Sequence, residues 1–186
     1  MRVTITFHGP FRVATGSARA GLDITIDPDD LLPASSLKGV MRAAARQLLP
    51  GRPGLVDEVF GGKPRVQARA QSSPWHWTGA EFGEEPPITT RARVSIDHAT
   101  GTARRNHLLF GEEVWADTAT FEITRRVPLA LQDQRVHQVV LAASAAAVHA
   151  LGADRRRGLG WVTLSPAEPG IDDQLLAELE TLRSGG

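Results

Sequence analysis

The segment that decides the fold is Leu32–Arg42, LPASSLKGVMR, because it begins the first long helix of the chain. Ser35 and Ser36 are each good N-cap residues, since a serine hydroxyl accepts a hydrogen bond from a free N–H of the first helical turn. Pro50-Gly51 ends the helix. Apolar residues recur between these limits at helical spacing and predict one buried helix face: Leu37, Val40, Met41, Ala44, Ala45 and Leu48.

Short strands are predicted on both sides of this helix. Residues Arg2–Phe7 alternate apolar with polar side chains, and a period of two is typical of a strand with one buried face. Leu22–Ile26 shows the same alternation and predicts a second strand before the helix. Further strands are predicted at Thr120–Pro128 and Trp161–Leu164.

A second long helix is predicted at Gln132–Leu151, with Gly152 as its C-cap because glycine adopts the left-handed backbone that ends many helices. His137 and His149 are expected at the edges of its buried face. An acidic amphipathic helix is predicted at about residues 171–183. The order strand, helix, strands, helix, strand predicts an α+β fold with a ferredoxin-like antiparallel sheet and two helices.

The stretch at about residues 61–118 differs in composition from the rest of the chain, being rich in proline and tryptophan with few apolar runs. Within it, Arg91–Ile96 alternates like a strand and Asp97–Gly101 is typical of a turn. We therefore predict a single domain over residues 1–186 that carries an insertion at 61–118.

The composition excludes several classes of protein. The 186 residues are 41% hydrophobic, which is enough for a core. Lys+Arg and Asp+Glu both number 21, so any nucleic-acid site must be a local patch. Without cysteine there is no disulfide, thiolate zinc site or cysteine nucleophile. No apolar run approaches the ~20 residues of a membrane span, and the first residues lack a signal-peptide core. We expect a cytoplasmic protein without a membrane partner.

The helix start Ser35–Gly39 carries residue types that fit three kinds of role. Ser35 and Lys38 match the Ser-x-x-Lys spacing of acyl-enzymes, but the companion Ser-Asp-Asn and Lys-Thr-Gly motifs are absent. A phosphate contact is the second interpretation, because a helix N-terminus favours anions and Gly39 permits close approach of the backbone. Arg42 adds a charge one turn after Lys38. The third interpretation is an ordinary cap with a solvated lysine.

The loop Gly152–Gly160, GADRRRGLG, is a second candidate site. It joins a helix to a strand, so it is not a Rossmann fingerprint. Gly158 and Gly160 allow a tight bend that brings backbone N–H groups to a phosphate, and Arg155–Arg157 add charge and bidentate contacts. The alternative is a surface hairpin with solvated arginines.

Two further groups of charged residues fit nucleic-acid chemistry. His98, Arg104 and Arg105 in the insertion are typical of a basic excursion along a phosphate backbone, or of a solvated hairpin tip. Asp23 and Asp27 are carboxylates that can hold a metal ion beside a phosphodiester, although Asp27-Pro28 is also ordinary turn chemistry.

Four motifs in order resemble the RAMP superfamily, which includes the RNA-binding subunits of type III CRISPR effector complexes. Leu32–Arg42 resembles the family segment P-G-S-S-L-K-G-x-x-R, with Ala34 in place of the usual glycine. Val59–Gly62 resembles its L-F-G turn, and Arg157–Gly160 its glycine-rich loop before the last core strand. Arg93–Ala103, together with Leu109, Phe110 and Glu113, resembles the family's insertion segment.

The resemblance implies a modified RNA-recognition-motif fold whose insertion forms a protruding thumb. It also implies a backbone-type subunit that binds a CRISPR guide RNA in a type III effector ribonucleoprotein of antiviral defence, beside other RAMP subunits and the large subunit. Backbone-type members place the thumb between guide and target RNA and cut the target with a loop aspartate. Asp23 matches that aspartate by position, with Asp27 as the alternative.

Cleavage at Asp23 implies a divalent metal ion, Mg²⁺ or Mn²⁺, held there, and so a metal-dependent endoribonuclease. The RNA-binding residues expected from the resemblance and the side-chain chemistry are Ser35, Ser36, Lys38, Gly39, Arg42, His98, Arg104, Arg105, Arg155, Arg156, Arg157, Gly158 and Gly160.

Two other functions stay open from the sequence. The chain fits a catalytically inactive, capping RAMP subunit, which would be a structural binding module. It also fits a free-standing guide-processing endoribonuclease that uses histidine acid–base chemistry, although neither the first loop nor the first helix contains a histidine.

Overall fold

The computed structural model describes residues 1–62 and 72–185. Its helices are α1 (Ala34–Leu48), α2 (Pro53–Phe60), α3 (Leu131–Ala146) and α4 (Asp173–Ser184). Its strands are β1 (Arg2–Phe7), β2 (Trp75–Trp77), β3 (Glu81–Phe82), β4 (Ile88–Ile96), β5 (Ala103–Val114), β6 (Thr118–Arg125) and β7 (Val162–Ala167). In these described ranges, no helix has both the length and the apolar character needed to cross a lipid bilayer.

The main sheet is antiparallel and has the strand order β2-β6-β1-β7, with β3 also paired to β6. Val3 of β1 lies opposite Phe121 of β6, and Ile5 lies opposite Leu164 of β7. The chain passes from central β1 through α1 and α2 to edge strand β2, and from central β6 through α3 to edge strand β7. This split βαβ arrangement confirms the predicted α+β, ferredoxin-like fold with two principal helices.

One face of the sheet is buried against the helices and the other is open. Val3 and Ile5 are fully buried and share a core with Leu37 and Met41 of α1 and Val140 of α3. The side chains that alternate with the buried ones are exposed, namely Thr4 in β1 and Thr163 and Ser165 in β7. Because each buried aliphatic side chain contributes about 1.5–3 kcal/mol, the alternation fixes which face of β1 points towards the helices.

β4 and β5 form a separate two-stranded hairpin, Ile88–Val114. Gly111–Val114 at its base are buried, whereas residues 98–110 are all exposed. At the tip, Asp97 Oδ1 accepts hydrogen bonds from the backbone N–H groups of Ala99 (2.9 Å) and Thr100 (3.2 Å), which closes the predicted turn. The stretch 61–118 holds β2, β3 and this hairpin, and its residues 63–71 lie outside the described residues.

Two predicted helix caps are wrong. The N-cap of α1 is Pro33, which has the extended backbone (φ −61°, ψ 149°) that this position requires, and no side chain caps the helix. Ser35 and Ser36 therefore lie inside the first turn, with their hydroxyls available for other contacts. α3 ends earlier than expected, with Ala147 rather than Gly152 as its C-cap.

The strand predicted at Leu22–Ile26 is also wrong. This segment makes isolated bridges to three different partners, so no continuous ladder forms: Leu22 to Arg19, Ile24 to Gly111, and Ile26 to Ala14. The segment is instead a loop held at the hairpin base by the bridge from Ile24 to Gly111 and by the Ile26 N–H, which donates to Glu112 Oε2 at 3.1 Å.

His137 lies in the core rather than at the edge of a helix face. Its side chain is 5% exposed, and its Nδ1 lies 3.1 Å from Trp75 Nε1, whose N–H it accepts. Burial lowers the pKa of His137, against weaker opposing effects of Glu58 and Asp133. Both burial and the acceptor role require the neutral ring.

We expect the free energy of unfolding to decrease as the pH falls below about 6.5, the ordinary histidine pKa. Unfolded His137 takes up a proton there while folded His137 does not, so acid favours the unfolded state. His137→Gln keeps an acceptor but cannot titrate, and urea denaturation should show a shallower pH dependence for it between about pH 6.5 and 5. His98→Gln, at an exposed position, is the control. Equal slopes for His137→Gln and the wild type would contradict the assignment.

Candidate nucleic-acid interface

Residues 10–12, which follow β1, lie between the hairpin and the glycine-rich loop 152–160. Phe11 exchanges two backbone hydrogen bonds with Val114 at the base of β5, both at 2.9 Å. On the other side, the carbonyl of Pro10 accepts from the N–H of Gly160 and that of Arg12 from Ala153, each at 2.8 Å. Three segments that are distant in sequence therefore meet here, and we call this place the junction.

Arg12 is the charged centre of the junction, and it is completely buried. Its Nη1 donates to Asp154 Oδ2 at 3.0 Å, and its Nε donates to the backbone carbonyl of Glu112. Arg93 of β4 donates to the same Asp154 oxygen from Nη2 at 2.8 Å. One carboxylate thus connects the loop after β1, the hairpin and the glycine-rich loop.

The junction holds more positive than negative charge. The hydrogen bond from Arg93 is the main cause that lowers the pKa of Asp154, so this carboxyl stays ionised. Burial, followed by repulsion from Arg93, lowers the pKa of Arg12, yet a guanidinium keeps its proton in proteins. Arg12 Nη2 and Arg93 Nη1 are buried without a hydrogen-bond partner in the described ranges. Asp154 therefore faces Arg12, Arg93 and, at 3.9 Å, Arg157. The neighbouring buried Glu113 is paired with Arg91 and leaves this excess of positive charge unchanged.

Two glycines are required for this close packing. A Cβ at Gly152 would lie 2.3 Å from the carbonyl oxygen of Arg12, and a Cβ at Gly160 would lie 1.9 Å from that of Leu151. Both glycines also have positive φ, +75° and +77°. Gly152 therefore serves the approach of two backbones and not the end of α3.

The three consecutive arginines form one exposed turn on this base. Arg155–Arg157 are a single 3-10 turn between Asp154 (φ 57°) and Gly158 (φ 84°), both in the left-handed region. The N–H of Arg157 donates to the carbonyl of Asp154 at 2.7 Å and closes the turn. The structure thus brings the predicted residues Arg155, Arg156, Arg157, Gly158 and Gly160 together in one anchored loop, which we call the arginine loop.

The predicted residues at the start of α1 line a separate cavity. Ser35, Lys38 and Arg42 surround about 510 Å³ of surface space beside β2. Lys38 Nζ lies 4.9 Å from the ring centroid of Trp77, and burial, followed by repulsion from Arg42, lowers the pKa of Lys38. Arg42 Nη2 pairs with Asp57 Oδ1 at 2.9 Å. Lys38 and Arg126 both line this cavity, and neither forms an ion pair among the described residues.

Ser36 and Gly39 are less closely tied to the cavity. Ser36 is half-buried in the first turn of α1, and Gly39 is exposed. A Cβ at Gly39 would meet nothing within 4 Å, so packing within this chain does not require glycine there.

The basic groups predicted from the sequence lie on separate surfaces. Arg155 borders a groove with Ala43 and Gln47, which lie ~140–180° around α1 from Lys38 at 100° per residue. His98, Arg104 and Arg105 are exposed near the tip of the hairpin, where Arg104 Nε lies 3.5 Å from Asp97 Oδ2. Lys38 and the arginine loop therefore do not form one continuous phosphate surface.

Asp23 is exposed and bound to the hairpin. Its Oδ2 accepts from the N–H of Phe110 at 2.8 Å, and its own N–H donates to the carbonyl of Phe110 at 2.8 Å. Asp27 Oδ1 accepts from the N–H of Asp29 at 3.0 Å, which is the hydrogen bond of a local turn. The described part of the chain holds no group of three or more His, Asp or Glu side chains that could bind a metal ion. Asp23 thus presents one carboxylate that is held in position by hydrogen bonds to Phe110.

Sequence reasoning missed Arg12 and Asp154, which organise the junction. Two signals pointed to them. Arg12 interrupts an otherwise apolar run, Pro10-Phe11-Arg12-Val13, and Asp154 is an acid placed directly before three arginines. Neither signal shows that Arg12 and Asp154 pair with each other.

Comparisons with known proteins agree with this architecture. The RAMP superfamily model matches residues 4–163. A chain of the type III-B Cmr-beta complex bound to cognate target RNA is similar with a TM-score of 0.68 and 11% identity, over 88% of this chain and 95% of that chain. A chain of the apo Cmr-beta complex is similar with a TM-score of 0.63 and 12% identity, over 92% and 97%. No curated protein matches the sequence. At these identities the structural likeness establishes the fold.

We expect Asp154→Ala to destabilise the protein by about 3–5 kcal/mol, because it leaves Arg12 buried and unpaired. Arg12→Met combined with Asp154→Ala should cost less than the sum of the single changes, as in any strongly coupled pair. Urea denaturation of the three variants gives the coupling free energy. Glu180→Gln, which breaks an exposed pair with Arg183, is the control and should cost at most about 1 kcal/mol.

The ion pair between Arg12 and Asp154 also makes the free energy of unfolding depend on pH. Because the pKa of folded Asp154 is lowered, its contribution to the free energy of unfolding is complete above the ordinary aspartate pKa. This contribution is lost as the pH falls through the folded value, below about pH 4.

If the effects of Arg12→Met and Asp154→Ala on the free energy of unfolding were simply additive at neutral pH, the central role of this pair would be contradicted.

Proposed function

The chain belongs to the RAMP superfamily, and from this premise we propose that it is a guide-RNA-binding subunit of a type III CRISPR effector ribonucleoprotein in antiviral defence. The arginine loop is the observation that carries the proposal. Three guanidinium groups stand exposed on a turn whose base is fixed by buried ion pairs and backbone hydrogen bonds. Accessible guanidinium groups on a fixed support suit phosphate binding, because each can donate two parallel hydrogen bonds to one phosphate.

The charge distribution supports RNA as the ligand. The net charge is zero, so the chain as a whole does not attract a polyanion. Positive charge is instead concentrated in the arginine loop, above the excess charge of Arg12 and Arg93. The cavity with Lys38 provides a second site for one phosphate, where the ammonium over Trp77 is less hydrated than a free lysine.

The proposed partners follow from the same premise. Besides the guide RNA they are the target RNA, further RAMP subunits and the large subunit of the complex, in the cytoplasm. The structural relatives include a Cmr-beta complex bound to cognate target RNA. The hairpin is the element that we assign as the thumb, and His98, Arg104 and Arg105 near its tip are suited to a phosphate backbone.

Target cleavage, where it occurs, is assigned to Asp23. One carboxylate oxygen accepts from the N–H of Phe110, which leaves the other directed to solvent or a ligand. A single carboxylate together with RNA phosphate oxygens is a donor set that suits Mg²⁺ or Mn²⁺, and such an ion would stabilise charge on the phosphate. We assign the substrate's own ribose hydroxyl as the nucleophile, because RNA carries that hydroxyl beside the scissile phosphate.

An inactive, capping RAMP subunit is the second candidate function. It is favoured by the isolation of Asp23, which has no cluster of further acidic or histidine ligands within residues 1–62 and 72–185. RNA binding is common to both candidates, and cleavage separates them.

RNA binding by the full chain should be tolerant of sequence and weaken with salt. Changing Arg156 and Arg157 to Ala should lower the log–log salt slope by roughly 0.7 for each lost phosphate contact with single-stranded RNA. Fluorescence anisotropy with two unrelated single-stranded RNAs over a salt series measures both quantities. Arg183→Ala, which removes an exposed arginine of α4, is the control. An unchanged slope, or a loss confined to one RNA sequence, would overturn the phosphate assignment.

Asp23→Asn should abolish Mg²⁺-dependent cleavage of guide-complementary RNA in the assembled complex while RNA binding is preserved. Asparagine still accepts the hydrogen bond of Phe110, so the change removes the charge and keeps the local fold. Asp27→Asn retains its turn and should cleave normally. If only Asp27→Asn lost cleavage activity, the catalytic carboxylate would be Asp27 and not Asp23. If the wild-type complex did not cleave RNA, the chain would be the inactive, capping subunit.

A further inference from the structure

Trp161 is an exposed aromatic residue at the point where the arginine loop enters β7. Its side chain is 61% exposed, whereas the next residue, Val162, is 3% exposed. The alternation continues with exposed Thr163 and buried Leu164. Trp161 therefore lies on the open face of the sheet, opposite to the face that the helices cover.

The backbone around Trp161 is firmly held. The carbonyl of Trp161 accepts from the N–H of His8 at 2.9 Å, and Trp161 forms a bridge with Ala150. The preceding Gly160 donates to Pro10 at 2.8 Å and accepts from Leu151 at 2.9 Å. The indole thus projects from a fixed strand end and not from a mobile loop, so it is presented at little entropic cost.

The surroundings of Trp161 are polar but contain few opposing charges. His8 Nε2 and Thr163 Oγ1 lie 2.7 Å apart beside it. In register below them, the open face continues with Thr6 opposite Thr163 and Thr4 opposite Ser165. Glu122 shares this face at the other end of β1, where it lies opposite Arg2 and pairs with it at 3.6 Å.

The arginine loop and Trp161 are close together along the chain. Arg157 precedes Trp161 by four residues, a span of at most roughly 14 Å between the two Cα atoms. A single strand whose phosphates contact Arg157 can therefore reach the indole within a few nucleotides, by passing around the end of β7 from the side of α1 to the open face. An aromatic face beside a positive groove is the combination by which proteins hold single-stranded nucleic acid, with about 1–3 kcal/mol per stacked base.

We propose that Trp161 stacks an unpaired base of the RNA strand whose phosphates are bound by the arginine loop. This inference rests on the proposed function and adds the position at which a base, and not only the backbone, is held. Stacking tolerates any base, so Trp161 fixes the path of the strand without selecting its sequence.

Trp161→Ala should weaken binding of a single-stranded oligouridine RNA roughly 5- to 150-fold, the equivalent of one lost stacking contact. Trp161→Phe should retain most of the affinity. The salt slope should stay at the wild-type value in both variants, because no phosphate contact is lost. An oligonucleotide of the same length in which every ribose is abasic should bind Trp161→Ala and the wild type equally, because it has no base to stack.

Trp115→Ala is the matched control. Trp115 is also exposed (45%), but it borders a groove with the acidic residues Glu84, Glu85 and Asp117, where phosphates are repelled. Binding should be unchanged in this variant, and circular dichroism checks that all variants are folded.

The outcomes separate the inference from the proposed function. If Trp161→Ala binds RNA normally while the Arg156 and Arg157 changes reduce the salt slope, the stacking inference is wrong and the proposed function stands. If the wild type binds no RNA at all, the proposed function fails. If Trp161→Ala binds RNA normally but loses association with the other subunits of the complex, Trp161 is a protein contact and the inference is overturned.

Discussion

The ion pair between Arg12 and Asp154 is the interaction on which the functional half of the molecule depends. A fully buried guanidinium is tolerated only with a paired charge and hydrogen bonds that replace its hydration, and Asp154 supplies that charge. Because Asp154 also holds Arg93, which lies opposite Leu109 in the hairpin, it connects the hairpin to the start of the arginine loop. The ferredoxin-like sheet provides the frame, and this carboxylate determines how the hairpin and the arginine loop are placed on it.

The fold could be predicted from the sequence because its main elements are fixed by local patterns. The period-two alternation of Arg2–Phe7 reports directly which side chains are buried, and the apolar spacing after Leu37 does the same for α1. Element order and the short glycine-rich connections then limit the topology to one familiar plan. The tight bend of the arginine loop was predictable too, since glycines on both sides of three arginines permit it, whereas its contact with RNA stays a prediction.

The rest depended on partners that are distant in sequence. Arg12 and Asp154 are 142 positions apart, so no local pattern reports their contact. Leu22–Ile26 has the alternation of a strand but makes only isolated bridges, because its place beside the hairpin is set by tertiary packing. His137 was misplaced because its partner, the indole of Trp75, belongs to another element. Lys38 and the arginine loop lie on different sides of α1, and this separation also depends on tertiary packing that no local sequence pattern reports.

Arg12 also restricts how this sequence can diverge. A Cβ at Gly111 would lie 2.8 Å from its Nη2, and a Cβ at Gly152 would lie 2.3 Å from its carbonyl oxygen. One glycine belongs to the hairpin and the other to the loop after α3, yet both are kept small by the same arginine. Substitution of Arg12 by a shorter residue would relax the space at Gly111 but not at Gly152, where the obstacle is backbone. The two glycines therefore differ in evolutionary freedom: the first can change together with Arg12, and the second can change only if the chain path itself moves.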